Sequence, residues 1–119
     1  MKVGIDLIEI ARIRRALERP SFRERCFTEA ERAYCESKAN PVESYAARFA
    51  GKEAVGKALG CGVYFTWREI EIVGRPKPAV RLSGRLAERA AAIGAATVDL
   101  SMTHSRELAQ AVAVAYGAD

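Results

Sequence analysis

Apolar and polar positions divide the chain into a helical first half and an alternating second half. "KVGIDLI" (residues 2–8) is mostly apolar and reads as a short buried strand. It leads into a helix from about Glu9 to Glu18, which Pro20 stops. Ile10, Ile13 and Leu17 give this helix an i, i+3, i+7 apolar stripe, and Arg12, Arg15 and Arg19 share its opposite face. "TEAE", Thr28 to Glu31, fits a capping box and opens a second helix through Tyr34. "NPVE" starts a third, with Asn40 as N-cap, Pro41 at the first helical position and Glu43 three residues past the cap. This long helix ends near Gly60 and contains "RFAGKEAVGKALG". Ala47, Ala50, Gly51, Ala54 and Ala58 gather on one of its sides, where small residues let a neighbouring element come close.

After "GCG" the period changes. "REIEIVG" alternates Ile70 and Ile72 with charged residues, and "PAVRL" can pair with it across the turn "GRPK". "SGRLAERAAAIG" supplies a fourth helix with Ser83 as its cap. "ATVDLSMT" places Val98, Leu100 and Met102 on one face, and "AQAVAVAY" follows "HSREL" as its hairpin partner. Helices first, then strands with one helix between them, make an α+β domain built on a small, mostly antiparallel sheet. The 119 residues read as one domain, 1–119.

Composition narrows the class. Half of the residues are apolar and 29% are charged, so the chain is globular. No apolar run is long enough to span a bilayer, and "MKVGIDLIEI", broken by Asp6 and Glu9, does not read as a signal peptide. Cys26, Cys35 and Cys61 are odd in number and form no C-x-x-C pair, which favours small semi-buried residues in a reducing cytoplasm over disulfides or zinc. The net charge of +4 points to an acidic partner without naming it.

The candidate chemistry starts from Glu53 and Lys57, one helical turn apart. Alone they are an ordinary i,i+4 pair, worth about 0.2–0.5 kcal/mol. Two further features change that reading. Asp6 ends a buried-looking strand, where an uncompensated carboxylate is costly. Lys52 and Lys57 flank Glu53, and the glycines of "GCG" follow, leaving backbone free to approach a ligand. Two carboxylates with lysines are what a Mg²⁺–diphosphate site requires, because Mg²⁺ takes one or two protein carboxylates plus waters and phosphate oxygens.

Those residues also carry a family resemblance. "GIDLIEIARI" resembles the opening motif of the holo-[acyl-carrier-protein] synthases, the small bacterial 4′-phosphopantetheinyl transferases. "RFAGKEAVGKALGCG" resembles their second and more specific signature, "GRP" (residues 74–76) their G-[KR]-P turn, and "LSMTHS" their segment ending in histidine. The four matches come in the family's order and span nearly the whole chain. Gly51 and Gly56 are smaller than the residues often found there, and both lie outside the charged positions.

The resemblance implies transfer of the 4′-phosphopantetheine arm of coenzyme A to a serine of apo-acyl carrier protein. It implies release of 3′,5′-ADP, a role in fatty acid biosynthesis, and a homotrimer with the coenzyme A site between neighbours. Asp6 and Glu53 would hold Mg²⁺ and Lys57 would contact the transferred phosphate. Arg48 and Lys52 would neutralise nearby charge. Gly60, Gly74, Arg75, Pro76 and His104 would shape the nucleotide end. Arg12, Arg15 and Arg19 would dock the acidic carrier protein. A metal-bound water is the expected acceptor of the serine proton.

Two other classes compete. A basic nucleic-acid-binding module is disfavoured, because aromatics are few and do not interleave with the basic residues. A Mg²⁺-dependent phosphohydrolase would use the same two carboxylates. Formation of 3′,5′-ADP only when apo-carrier protein is present separates it from a transferase.

Overall fold

The computed structural model describes residues 1–61, 66–74 and 77–117. Strand β1 (Lys2–Glu9) is followed by helices α1 (Ile10–Ala16), α2 (Pro20–Cys26), α3 (Glu29–Glu36) and α4 (Pro41–Ala58). A 3₁₀ turn at Trp67–Glu69 leads into β2 (Ile70–Val73), β3 (Ala79–Leu82), α5 (Gly84–Ala92), β4 (Thr97–His104) and β5 (Leu108–Tyr116). The fold is α+β, as the pattern predicts, but the strands divide into two antiparallel sheets. β5 pairs with both β1 and β4, while β2 and β3 form a separate two-stranded ribbon. Both ribbon strands are four residues long.

Helix α4 crosses the inner face of the three-stranded sheet. Gly4, Asp6 and Ile8 of β1 face it, as do Ala109, Ala111, Ala113 and Ala115 of β5, all buried. The small residues decide the spacing. A Cβ on Gly4 would stand 1.9 Å from the Ala54 carbonyl oxygen, so only glycine lets β1 lie this close to the helix. One on Gly51 would meet Ile72 Cδ1 at 2.8 Å. The other side of α4 packs aromatic rings: Phe49 stacks on Trp67 at 4.4 Å between centroids, and Phe27 meets Tyr45 edge-on at 4.9 Å. α4 is therefore buried on nearly all sides.

Local signals explain the boundaries. The Thr28 capping box is complete: its hydroxyl accepts from the Glu31 N–H at 3.2 Å and its own N–H donates to the Glu31 carboxylate at 2.9 Å. Asn40 precedes α4 as expected, but its side chain donates to Glu43 instead of capping the backbone, and Ser83 makes no side-chain cap bond. The first helix is shorter than its pattern predicts, with Leu17 as C-cap. Pro20 does more than stop it: proline fits the first helical position, and here it opens α2, whose Phe22 and Cys26 are buried one turn apart. Arg19 therefore sits at the N-cap of α2, not on the first helix with Arg12 and Arg15.

Candidate active site

The close approach at Gly4 brings the next inward residue of β1, Asp6, against the last turns of α4. Asp6 is 8% exposed and stands opposite Ala111 in the ladder. Lys57 reaches back across the crossing, donating to the Ile5 carbonyl at 2.9 Å and lying 3.3 Å from Asp6 Oδ1. Glu53, one turn earlier, faces the same carboxylate. Burial first, then the hydrogen bond to Asp6 and its charge, push the Glu53 carboxyl from an ordinary 4.5 to about 7. Arg12 and Lys57 pull the other way. Like charges this close share a proton unless a cation replaces it.

A divalent metal would end that competition by taking the place of the proton. Asp6 and Glu53 offer hard oxygen donors, forced together, with half-exposed Lys57 beside them. Among the described residues no group of three or more His, Cys, Asp or Glu converges, so the protein's share of a shell here is two carboxylates. This donor set suits Mg²⁺, which keeps waters and phosphate oxygens in its remaining positions.

Arg48 belongs to a second cluster. It is 4% exposed, its guanidinium lies 3.8 Å from the Tyr34 ring centroid, and its buried Nε has no hydrogen-bond partner among the described residues. Burial would raise the Tyr34 hydroxyl, but Arg48 and Lys38 outweigh it and hold its pKa below the ordinary phenol value. Arg48 and Tyr34 line a cavity of about 540 Å³, together with Gly74, Lys77, Asp99 and Ser101. A buried guanidinium at the wall of a cavity makes that wall cationic and suited to an anion. Tyr34, Lys77 and Asp99 are absent from the motif matches.

Lys52 is a correction. Its ammonium does not join Asp6, Glu53 and Lys57 at the crossing. Its ammonium is fully buried on the far side of Glu53, 2.7 Å from Glu31 Oε1 and 3.1 Å from the Trp67 carbonyl, with a third bond to the Ile70 carbonyl. All three of its donors are thereby used inside the protein. Burial lowers its pKa, and Glu31 opposes that shift.

The remaining candidates scatter. Gly60 has φ of +78°, follows the C-cap Leu59 and terminates α4, a conformational role that glycine fills. Gly74, with φ of +84°, lies at the cavity wall, while Arg75 and Pro76 fall outside the described residues. His104 ends β4 and pairs with Glu43 in the first turn of α4, Nδ1 to Oε2 3.3 Å. Arg12 and Arg15 are exposed on α1, and Arg12 lowers the Glu53 pKa through its charge. Cys26 and Cys35 are buried and unpaired, and burial pushes the Cys35 thiol up to about 12.

Known proteins resemble this chain along almost all of its length. A family model described as the 4′-phosphopantetheinyl transferase superfamily matches residues 2–114. A holo-[acyl-carrier-protein] synthase of Chlamydia felis is 49% identical over 118 residues, covering 95% of this chain and 94% of that protein. The crystal structure of the Helicobacter pylori holo-[acyl-carrier-protein] synthase in complex with coenzyme A superposes with a TM-score of 0.83 at 32% identity, covering 95% of this chain and 98% of that one. A Bacillus anthracis holo-(acyl-carrier-protein) synthase, in complex with CoA (3′,5′-ADP), gives 0.81 at 33% identity, covering 98% and 96%.

Proposed function

The chain belongs to the 4′-phosphopantetheinyl transferase superfamily, among its holo-[acyl-carrier-protein] synthases, and from that premise we propose how its residues divide the reaction. It transfers the 4′-phosphopantetheine arm of coenzyme A to a serine of apo-acyl carrier protein. The serine hydroxyl gives up its proton to solvent as its oxygen forms the new bond to the phosphorus nearer the pantetheine. The bond from that phosphorus to the bridging oxygen breaks, and its electron pair leaves on 3′,5′-ADP.

The observation that carries this reading is the meeting of Asp6, Glu53 and Lys57 where β1 crosses α4. Asp6 and Glu53 would hold Mg²⁺, which when bound supplies charge stabilisation to the diphosphate. Lys57 is held by the Ile5 carbonyl and by Asp6, so its ammonium is already oriented when phosphate charge develops. The Arg48 cavity takes the nucleotide end, with the Arg48 guanidinium at its wall offsetting the charge of an anionic group. His104 lies one inward position beyond Met102, which lines that same cavity, and would add a contact there. Arg12 stands at the edge of the carboxylate pair, where an acidic carrier protein would present its serine.

The outer face of the three-stranded sheet supports the homotrimer. Val3, Ile5 and Leu7 are 60%, 54% and 60% exposed there, an apolar face that a copy of the chain would cover. Action in the cytoplasm on fatty-acid carrier protein completes the reading. No helix among the described residues is long and apolar enough to cross a membrane.

The test is mass spectrometry of apo-acyl carrier protein incubated with coenzyme A, Mg²⁺ and this protein. A gain of the phosphopantetheine mass, abolished by chelator and accompanied by 3′,5′-ADP, is expected. 3′,5′-ADP released without apo-carrier protein would make the protein a hydrolase instead.

A further inference from the structure

The buried ion pair of Lys52 and Glu31 lies outside the reacting groups, yet both helices it ties carry a wall of the Arg48 cavity, and the ribbon it holds leads into a third wall at Gly74. On α4, Lys52 lies one turn after Arg48. On α3, Glu31 lies three residues before Tyr34, so the ion pair and the Arg48–Tyr34 stack are successive contacts between the same two helices. The third element is the ribbon. The Ile72 N–H donates to Glu31 Oε2 at 2.8 Å, two residues before Gly74 in the cavity wall. Lys52 holds the start of the same ribbon through the Trp67 and Ile70 carbonyls.

We infer that Lys52 and Glu31 are positioning residues for the nucleotide end of the substrate, fixing α3 and the β2–β3 ribbon against α4 so that Tyr34, Gly74 and Arg48 meet around one anion. The inference rests on the reading of that cavity as the nucleotide site. Buried Ile70 and Ile72 and the Thr28–Glu71 hydrogen bond hold the two-stranded ribbon by its side chains, and the Lys52–Glu31 pair adds the hold on its backbone. The ribbon's own ladder is four pairs long, and among the described residues its backbone hydrogen bonds to α3 and α4 run through these two side chains. A site that must be pre-formed loses affinity when its walls drift, even though no contact to the ligand has been removed.

The single variant Lys52→Met leaves a buried carboxylate unpaired and is prone to unfold, so the decisive protein is the double variant Glu31→Gln/Lys52→Met, which removes both charges together. Two measurements are made on it at full length. Amide hydrogen exchange should quicken at Ile70 and Ile72 while Ala111 and Ala113 keep wild-type protection. Calorimetric titration with 3′,5′-ADP should show a dissociation constant raised on the order of tenfold, with kcat at saturating coenzyme A within a few-fold of wild type.

Faster exchange in the ribbon with unchanged 3′,5′-ADP affinity would overturn the inference, as would unchanged exchange. Loss of kcat without loss of affinity would move Lys52 to the reacting group, and global unfolding of the double variant would reduce the pair to a folding element; either result defeats it. If the wild-type protein itself fails to bind 3′,5′-ADP, the nucleotide reading of the cavity fails, and the exchange data still report on the clamp by themselves.

Discussion

Two acid–lysine clusters built on adjacent residues of one helix behave in opposite ways. At the α3–α4–β2 junction, Lys52 and Glu31 are fully buried and saturated: three acceptors surround the ammonium, and three donors reach the carboxylate. At the β1–α4 crossing, Glu53 and Asp6 face each other as like charges, and Lys57 is half exposed. The first cluster has no capacity left for a ligand. The second is short of a cation, and only a proton or a metal relieves it. Residue type does not separate structural from chemical charge here. The completeness of the partner set does.

Breaking the saturated cluster should give the largest effect on stability. Lys52→Ala leaves Glu31 buried and unpaired, which costs about 3–5 kcal/mol in denaturant unfolding. Asp6→Asn should cost far less, because it removes a repulsion along with the Lys57 contact. Equal losses for the two variants would erase the distinction. Activity should invert the order: Asp6→Ala and Glu53→Ala are expected to lower transfer by about 10²–10³-fold with the fold retained. Chelation should abolish transfer reversibly, and wild-type turnover of both variants in saturating Mg²⁺ would remove the metal assignment.

The contrast also marks what could be read before the structure. Asp6, Glu53 and Lys57 were legible because a carboxylate in an apolar strand needs compensation and a helical turn stacks Glu53 over Lys57. The small side of α4 was legible from its helical period, whereas the apolar run of β1 hid that only Gly4, Asp6 and Ile8 turn inward while Val3, Ile5 and Leu7 are exposed. Lys52 was not. It lies beside Glu53 in a helix buried on nearly all sides, where periodicity does not tell an inward lysine from a ligand-facing one. Its partner Glu31 was visible only as a capping-box residue, and that local duty concealed a long-range one. The ribbon's separation from the main sheet, and the opening of α2 by Pro20, depend on packing that local patterns do not encode.

Lys57 tests the open cluster from its cationic side. Its charge matters most where phosphate charge develops, so Lys57→Ala should lower kcat by about 10²-fold while raising the KM for coenzyme A much less. A change confined to KM would make it a ground-state anchor.

A smaller effect follows from the shared proton. Glu53 has its folded pKa above its unfolded one, so protonation favours the folded state. In chelator-treated protein this contribution is fully present below 4.5 and is lost as pH rises through about 7. Relative to Glu53→Gln, the wild type should therefore lose stability across that window, and added Mg²⁺ should flatten the difference. A difference independent of pH would show that Asp6 and Glu53 do not share the proton. The Lys52–Glu31 pair, tested alongside with Glu31→Gln/Lys52→Met, should show no such Mg²⁺ response.

The smallest effect is expected at the rim, where Arg12 stands between solvent and Glu53. Arg12 is exposed on α1 opposite buried Ile10 and Ile13, so Arg12→Glu should leave the core intact. Charges at such a position act mainly on encounter and are screened over roughly 8–10 Å at physiological salt. The KM for carrier protein should rise several-fold at low salt, and the rise should shrink as salt is added. Arg15→Glu, exposed on the same helix, should do the same. Affinity for 3′,5′-ADP should stay constant in both. If Arg12→Glu instead weakened Mg²⁺-dependent turnover at every salt concentration, Arg12 would belong to the open cluster itself, and the boundary between reacting groups and docking surface would move outward by one residue.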